Sequence, residues 1–200
     1  RISEAVKSYK NAIAIKSNYA EAHNNLGITL MDIGKLDEAV SSYKNALTAK
    51  PNYAFAHNNL GVALNGLHRL NEAAICFDKA LSINPYYAEA HSNLGNVLQD
   101  LGKFDEAVIS YNKALTIKPD YAEAHYNLGL VLQALEKTSD SLESFHKAIA
   151  IKPDYVKGHY NLGNAQQSLG KLDEAVISYN NAITIKPDYA EAHSKLGDTL

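Results

Sequence analysis

Hydrophobic and polar positions recur along this chain with a period of 34 residues. The stretch YAEAHNNLG begins at Tyr19, and close copies of it begin at Tyr53, Tyr87, Tyr121, Tyr155 and Tyr189. A period of this length is typical of a supersecondary unit that buries its apolar face only against its neighbours. The pattern therefore predicts an array of repeats and not a globular domain around one central core.

The repeat divides the chain evenly when position 1 is placed at Ala20. We then expect a single array over residues 1–200, in which residues 1–19 supply the second helix of a partial repeat and residues 190–200 begin a further repeat. The complete repeats cover residues 20–53, 54–87, 88–121, 122–155 and 156–189.

Each repeat is predicted to contain two helices joined by a short turn. All five prolines fall at position 32, where a residue without an N–H ends a helix. Glycine recurs at position 15, where a first helix is expected to stop. Position 18 carries residues that favour the N-cap, so we expect the second helix to begin there. The position-18 residues are Asp37, Asn71, Asp105, Ser139 and Asp173.

The two helices of a repeat are predicted to meet through apolar and small side chains spaced at 3.6 residues. Glycine inside a helix costs ~0.5–1 kcal/mol relative to alanine, so its recurrence at position 8 indicates a close approach of the two helices. The inward positions of the first complete repeat are His23, Leu26, Gly27, Leu30 and Ile33 in the first helix, and Ala39, Tyr43, Ala46 and Leu47 in the second.

This pattern resembles the tetratricopeptide repeat (TPR) family, whose signature is W-x2-L-G-x2-Y, then A-x3-F, then P. Here the pattern reads H-x2-L-G-x2-L, then A-x3-Y/F, then P, over the whole chain. Histidine and leucine replace the family's aromatic residues at positions 4 and 11. The resemblance implies an all-α, right-handed superhelical solenoid whose concave groove is lined by the first helices. The first repeat carries the motif on His23, Leu26, Gly27, Leu30, Ala39, Tyr43 and Pro51.

A repeated asparagine at position 6 is the main candidate for ligand contact. It falls on the predicted groove side, where no core demands it, and its amide can pair with both the N–H and the C=O of a peptide backbone. In this respect the array is similar to the TPR superhelix of O-linked N-acetylglucosamine transferases and related bacterial proteins, where asparagine at this position grips substrate backbone. Alternatively, the amides bond only to a neighbouring helix or to water. The residues are Asn25, Asn59, Asn93, Asn127 and Asn161.

Among the remaining predicted groove positions, 2, 5, 9, 12 and 13, acidic residues occur at positions 2 and 13 and aromatic residues at positions 2 and 5. A mildly acidic groove favours a neutral or basic peptide; alternatively, the charges belong to a solvated helix face. The acidic candidates at position 2 are Glu21, Glu89 and Glu123, with Asp32 and Asp100 at position 13. The aromatic candidates are Phe55, Tyr126 and Tyr160.

The position-4 histidines are numerous enough to suggest a metal site, but their spacing does not fit one. One repeat separates each from the next, which is too far for two of them to share an ion whose Zn–N bonds are ~2 Å. We therefore interpret them as buried structural rings, and we expect no metal and no cofactor. The series is His23, His57, His91, His125, His159 and His193.

Composition and charge narrow the function further. The net charge of −3 includes no dense Lys/Arg cluster, which argues against nucleic acid as a partner. No apolar run reaches the ~18 residues of a membrane span. Cys76 is the only cysteine and has no catalytic partners nearby in sequence, and we find no nucleophile, phosphate-loop or metalloprotease motif. The composition does not fix a compartment, although a cytoplasmic location is favoured.

Two functions remain open on the sequence. The first is a non-enzymatic scaffold that binds an extended peptide or partner segment in its groove. The second is the substrate-recruiting arm of a larger enzyme, such as a glycosyltransferase, whose catalytic domain lies outside this chain. Because neither end carries a polar capping helix, end-to-end self-association is a further expectation. The divergent segment LEKTSDSLESF, with Gly158 and Gln166 in the next repeat, predicts lower local stability near residues 136–168.

Overall fold

The computed structural model describes residues 2–200, which form twelve α-helices and no strand. Two compact units divide them, one ending at Leu101 and the other beginning at Gly102. The first unit contains α1 (Ile2–Ile15), α2 (Ala20–Asp32), α3 (Leu36–Ala49), α4 (Ala54–Gly66), α5 (Leu70–Ile83) and α6 (Ala88–Asp100). The second contains α7 (Phe104–Ile117), α8 (Ala122–Ala134), α9 (Thr138–Ile151), α10 (Val156–Ser168), α11 (Leu172–Ile185) and α12 (Ala190–Thr199). The all-α repeat fold is thereby confirmed. We call the even-numbered helices first helices and the odd-numbered ones second helices.

The core of each repeat forms around one aromatic ring of the second helix. Tyr43, Ala39 and Ala46 are fully buried, as the inward stripe predicts. The ring of Tyr43 lies directly against the backbone of Gly27, where an added Cβ would come within 2.5 Å of it. The close approach predicted for position 8 is thus observed, but the group that needs the space is the aromatic ring and not the small alanines. Ile33, also predicted to point inward, is 42% exposed.

In the turn between the two helices, one residue has a left-handed backbone conformation. Gly34 has a φ of +74°, its N–H donates to Met31 O, and the N–H of Lys35 donates to Leu30 O at 2.9 Å. These two bonds make a Schellman motif, in which glycine is favoured because it has no Cβ. His68 and Glu136 hold the same position in two other repeats with φ values of 56° and 59°. These two turns therefore have the same backbone conformation, although neither contains the glycine that this conformation favours.

The second helices begin earlier than the N-cap pattern predicts. In the first complete repeat the helix starts at Leu36 with Lys35 at the N-cap, which makes no side-chain capping bond. Asp37 is therefore the second helical residue, and the expected N-cap role of the position-18 residues is wrong. The reason is that the Schellman turn leads the chain directly into the next helix. Asp37 and Glu38 instead lie in the first turn, where acidic side chains complement the helix dipole.

The position-4 histidines connect each inter-repeat turn to the following first helix. His57 is buried, and its Nε2 lies 2.9 Å from the carbonyl oxygen of Pro51, six residues earlier. Nε2 donates this hydrogen bond, because the carbonyl can only accept. The same contact is made by His23 with Ser17, His91 with Pro85, His125 with Pro119, His159 with Pro153 and His193 with Pro187. The structural role expected for these rings follows from this geometry.

Candidate peptide-binding surface

The first helices of each unit lie side by side, so that α2 contacts α4 and α4 contacts α6, and likewise α8, α10 and α12. We call the outward side of each row its first-helix face. The position-6 asparagines are all half-buried along these rows. They are therefore partly accessible to a ligand while lying beside the neighbouring repeat. The asparagines concerned are Asn25, Asn59 and Asn93 in the first unit, and Asn127 and Asn161 in the second.

In the first unit, side-chain amides form a continuous hydrogen-bonded chain across three helices. Asn93 donates to Asn58 at 3.0 Å, and Asn58 donates to Asn59 at 3.4 Å. Asn59 in turn donates to Asn24 at 3.1 Å, and Asn24 donates to Asn25 at 3.3 Å. We call these five residues the amide chain. Bonding to a neighbouring helix, one of the two interpretations of position 6, is therefore observed.

The amide chain does not use the full hydrogen-bonding capacity of its members. An asparagine amide has two N–H donors and an oxygen with two lone pairs. Asn59 gives one N–H to Asn24 and accepts one bond from Asn58, and these are its hydrogen bonds within residues 2–200. One N–H and one lone pair therefore remain available at a half-buried side chain on the first-helix face.

The second unit arranges the same position differently. Asn161 donates to the hydroxyl of Tyr126 at 3.0 Å and to the carbonyl of Lys157 at 3.1 Å, and it accepts from Asn164 at 3.4 Å. Both of its N–H groups are thus used within the chain. Asn161 has less remaining capacity for a ligand than Asn59 has.

Position 5 is buried in the first four complete repeats and does not lie on an open groove surface there. Asn24 and Asn58 are only 4% and 6% exposed, because the next first helix packs over them. Placing this position on the outward side was therefore wrong. Tyr126 is likewise only 9% exposed. Its ring packs on Phe145 and Tyr155 in the core and adds little aromatic surface.

The remaining predicted aromatic residues are more accessible. Phe55 is 57% exposed and Tyr160 is half-buried. The ring centroid of Phe55 lies 5.2 Å from that of Tyr87 in a tilted arrangement, and 6.5 Å from that of Tyr53 in an edge-to-face arrangement. Tyr160 lies 5.2 Å from Tyr189 in a similar tilted arrangement. Exposed aromatic surface on the first-helix face of the first unit is therefore centred on Phe55.

The acidic residues on the first-helix face are exposed, and one of them is paired with a lysine. Glu21 forms an ion pair of 3.1 Å with Lys50, and its pKa is lowered by its own backbone N–H and then by Lys50. Glu89, Glu123, Asp32 and Asp100 are also exposed. In the first unit the helices α2, α4 and α6 together contain four carboxylates and no lysine or arginine. Carboxylates therefore outnumber lysine and arginine on these three helices.

A separate depression lies between second helices. In the second unit, α7 and α9 border a cleft of about 710 Å³ whose lining includes Leu115, His125, Lys147 and Ile151. Its counterpart between α3 and α5 is smaller, at about 290 Å³. Lys147 is paired with Glu143 at 2.6 Å. These clefts give a second surface against which a binding role of the first-helix face can be tested.

Within residues 2–200 no group of three or more His, Cys, Asp or Glu side chains is arranged to hold a metal ion. Cys76 is buried, and burial raises the pKa of its thiol, which disfavours the thiolate needed of a nucleophile. Among the same residues, no helix combines the length and apolar character needed to cross a bilayer.

The residues that sequence reasoning missed are the position-5 asparagines. Asn24 and Asn58 complete the amide chain, yet position 5 varies between asparagine, serine and tyrosine along the array. The available signal was the doublet Asn-Asn at residues 24–25 and 58–59. Two adjacent amides at the same place in consecutive repeats can bond alternately within a repeat and between repeats.

The helical hairpins with glycine at position 8, an aromatic ring at position 24 and proline at position 32 define a class of all-α repeat protein. Family models described as TPR repeat match residues 1–34, 29–67, 99–136, 134–170 and 167–200, and models described as tetratricopeptide repeat match 54–87 and 76–109. The chain belongs to the tetratricopeptide repeat family. Repeats of this family are generally scaffolds for protein interaction. No curated protein matches the chain.

Solved structures of other TPR proteins share this fold. YrrB, described as a TPR protein with an unusual peptide-binding site, is 24% identical over 95% of this chain and 98% of its own, with a TM-score of 0.77. MamA is 27% identical over 83% of this chain and 97% of its own, with a TM-score of 0.76. The Cut9-Hcn1 hetero-tetramer of APC/C is 16% identical over 100% of this chain and 40% of the matched chain, with a TM-score of 0.84.

Proposed function

We propose that this protein is an interaction scaffold that holds an extended, neutral or basic peptide segment on the first-helix face. The observation that carries the proposal is the unused hydrogen-bonding capacity of the half-buried amides, best seen at Asn59. An amide that presents one N–H and one lone pair matches a peptide group, which has one donor and one acceptor. YrrB, whose description names a peptide-binding site, has a similar fold.

The amide chain supports this function by fixing the orientation of its members. A free asparagine side chain on a helix surface loses rotamer freedom when it binds, and this loss weakens binding. Asn59 is already held from both sides, by Asn24 and by Asn58. The cost of ordering it is therefore met in the folded protein, and the amide is preorganised for contact.

The charge of the first-helix face supports a neutral or basic ligand. The helices α2, α4 and α6 carry four carboxylates and no lysine or arginine, although Glu21 is paired with Lys50. An excess of acidic side chains favours association with neutral or basic segments and disfavours acidic ones. The proposed contact residues are the position-6 asparagines with Glu21, Phe55, Glu89, Glu123 and Tyr160, while Tyr126 contributes through the hydroxyl that binds Asn161.

The test uses 12-residue peptides selected from a random library on the wild-type protein. Asn25, Asn59 and Asn93 are replaced together by alanine. The control replaces Asn45, Asn112 and Asn180, which are exposed on second helices, in the same way. We expect the first variant to lose at least tenfold in affinity for the selected peptides and the control to retain it. Because the contact is to backbone, N-methylation of single peptide bonds should weaken binding more than alanine substitution of most peptide side chains.

Equal affinity of the two variants for the selected peptides would overturn the proposal, provided that both melt cooperatively. If the control variant alone loses affinity, the second-helix side and its clefts are the binding surface instead. Tolerance of N-methylation at every position would exclude backbone recognition even if the asparagines matter.

A further inference from the structure

The inter-repeat turns share a contact between a lysine and a tyrosine that is absent from one turn. Lys50 places its Nζ 4.6 Å from the ring centroid of Tyr53, three residues later. The same pair occurs at Lys16 and Tyr19, Lys118 and Tyr121, Lys152 and Tyr155, and Lys186 and Tyr189, at distances between 4.7 and 5.3 Å. A cation over an aromatic face at this distance is attracted by the ring quadrupole.

At the turn before α6 the lysine position is held by Asn84. The turn reads Asn-Pro-Tyr-Tyr where the later turns read Lys-Pro-Asp-Tyr. The backbone of Asn84, with φ −131° and ψ 92°, matches that of Lys118, with φ −132° and ψ 86°. The turn therefore keeps the geometry that presents a cation to the ring, but its own side chain is neutral. Tyr87 receives no lysine from its own turn.

At two of the other turns the tyrosine has both an aromatic neighbour and a lysine. Tyr155 contacts the ring of Tyr126 at 4.9 Å and also has Lys152 at 5.1 Å from its centroid. Tyr189 likewise contacts Tyr160 and has Lys186. Tyr87 has the aromatic contact, from Phe55 at 5.2 Å, but not the lysine. Tyr87 thus has an aromatic neighbour, as Tyr155 and Tyr189 have, but no lysine from its own turn.

The surroundings of Tyr87 favour a positive charge. Phe55 is 57% exposed and is the only hydrophobic residue at position 2 among the first helices α2, α4 and α6. Those helices carry four carboxylates and no lysine or arginine. Burial raises the pKa of Tyr87, and the carboxylate of Glu89 raises it further. Tyr86, beside Tyr87, is 81% exposed and adds further aromatic surface at the turn.

We propose that Phe55 and Tyr87 form a receptor site for a cationic side chain of the bound segment, an arginine that occupies the place held by the repeat's own lysine in the other turns. The inference rests on the proposed function, because it names which side chain of a basic peptide is recognised. Arginine is preferred to lysine because its planar guanidinium stacks on aromatic rings and loses less hydration. Phe55 lies four residues before Asn59, one turn away on α4, so backbone and side chain of one segment can be held together.

The chain offers a matched variant in which the site is filled from within. Asn84→Lys restores the residue that the other turns carry, and we expect the new lysine to lie over Tyr87 and exclude an external cation. Phe55→Leu keeps apolar surface but removes the aromatic ring. Because five turns already hold lysine at this position, Asn84→Lys should fold as well as the wild type.

The first measurement uses N-acetyl-arginine amide as the probe, with N-acetyl-citrulline amide as its neutral match. Ring-labelled phenylalanine gives four signals in NMR spectra, and that of Phe55 is assigned by its loss in Phe55→Leu. We expect the arginine compound to shift the Phe55 signal saturably, the citrulline compound to leave it unchanged, and Asn84→Lys to abolish the effect. Equal shifts in the wild type and Asn84→Lys, or no shift in either, would overturn the site.

The second measurement separates this site from the proposed function. Paired 12-residue peptides of alternating alanine and serine carry one central arginine or one citrulline. We expect the wild type to bind the arginine peptide between about twofold and thirtyfold more tightly, and Asn84→Lys to remove this preference. Asn59→Ala should weaken both peptides equally without changing the Phe55 shift. A Phe55 shift without peptide binding would retain the cation site and reject backbone recognition.

Discussion

The ring of Tyr43 occupies the space that a Cβ on Gly27 would need, with the nearest ring carbon only 2.5 Å from that position. The same relation joins Gly61 with Phe77, Gly129 with Phe145 and Gly163 with Tyr179. Each of these rings is almost or fully buried. The glycine at position 8 is therefore fixed by the aromatic residue at position 24, although the helix itself would be more stable with alanine.

Gly27→Ala is expected to destabilise the protein by ~1–3 kcal/mol, because the Tyr43 ring must leave its position or the two helices must separate. Urea denaturation measures the change. Gly197 is the control, since it holds the same position in α12 but has nothing within 4 Å of an added Cβ. Gly197→Ala should be neutral or stabilising by no more than ~1 kcal/mol. Equal losses at the two positions would contradict the packing explanation.

His68→Gly and Glu136→Gly are each expected to stabilise the protein by ~0.5–1 kcal/mol. Both residues have left-handed backbones and exposed side chains, so the substitution relieves a cost of ~1–2 kcal/mol, offset in part by the entropy of glycine in the unfolded chain. Gly34→Ala should show the opposite sign at the equivalent position, where no steric contact contributes. The midpoints of urea unfolding measure all three, and a stabilised Gly34→Ala would refute the reasoning.

The free energy of unfolding is expected to fall as the pH is lowered from 7.5 to 5.5. Burial lowers the pKa of His57 and His125 below 6.5, more than the bonds to Pro51 and Pro119 raise it. Below about 6.5 the unfolded chain binds protons that the folded one does not, so stability is lost as the pH falls through that value. Protonation of His57 would also place a proton on Nδ1, which is buried without a partner.

Thermal unfolding at the two pH values measures this effect. His57→Phe with His125→Phe fills both sites with rings that do not titrate and should flatten the pH dependence. Glu21, Glu72 and Glu143 do not interfere, because their lowered pKa values place any loss of their stabilising contribution below about 4.5. A melting temperature that does not change between pH 7.5 and 5.5 would exclude the role of the histidines.

Amide hydrogen exchange is expected to be fastest, among the helical segments, near residues 136–168. Glu136 holds a strained turn, and Gln166 is a buried polar residue that depends on one bond of 2.6 Å from Ser178. In a repeat array a weak unit opens locally. Mass spectrometry of exchange measures the protection, and Glu136→Gly should slow exchange in this segment. Uniform protection along the array would contradict the prediction.

The helices could be predicted because their ends depend on local chemistry. Proline at position 32 and glycine at position 15 act within a few residues, and the structure places helix ends beside both. The residue types at position 18 predict the start of the second helix incorrectly. Asp37 has a residue type suited to an N-cap, but the Schellman bonds of Gly34 and Lys35 determine where the helix begins.

The candidate surface could be predicted only in part, because a helical projection does not show what covers each side. Position 6 was placed on an accessible side, and its residues are half-buried there. Position 5 lies 100° away on the helix and is covered by the next repeat, so Asn24 and Tyr126 became interior residues. The bond from Asn59 to Asn24 joins residues 35 apart, a separation that no local pattern in one repeat reveals.

The amide chain has one direction, since each member donates to the next in the order Asn93, Asn58, Asn59, Asn24 and Asn25. If the side chain of Asn58 alone turned over, its N–H groups would face those of Asn93 and its oxygen would face that of Asn59. Such a defect costs two hydrogen bonds at once, so the five amides keep their orientation together or reverse it together. The side-chain amides of three repeats therefore orient as one unit, whose donor end and acceptor end lie on different helices.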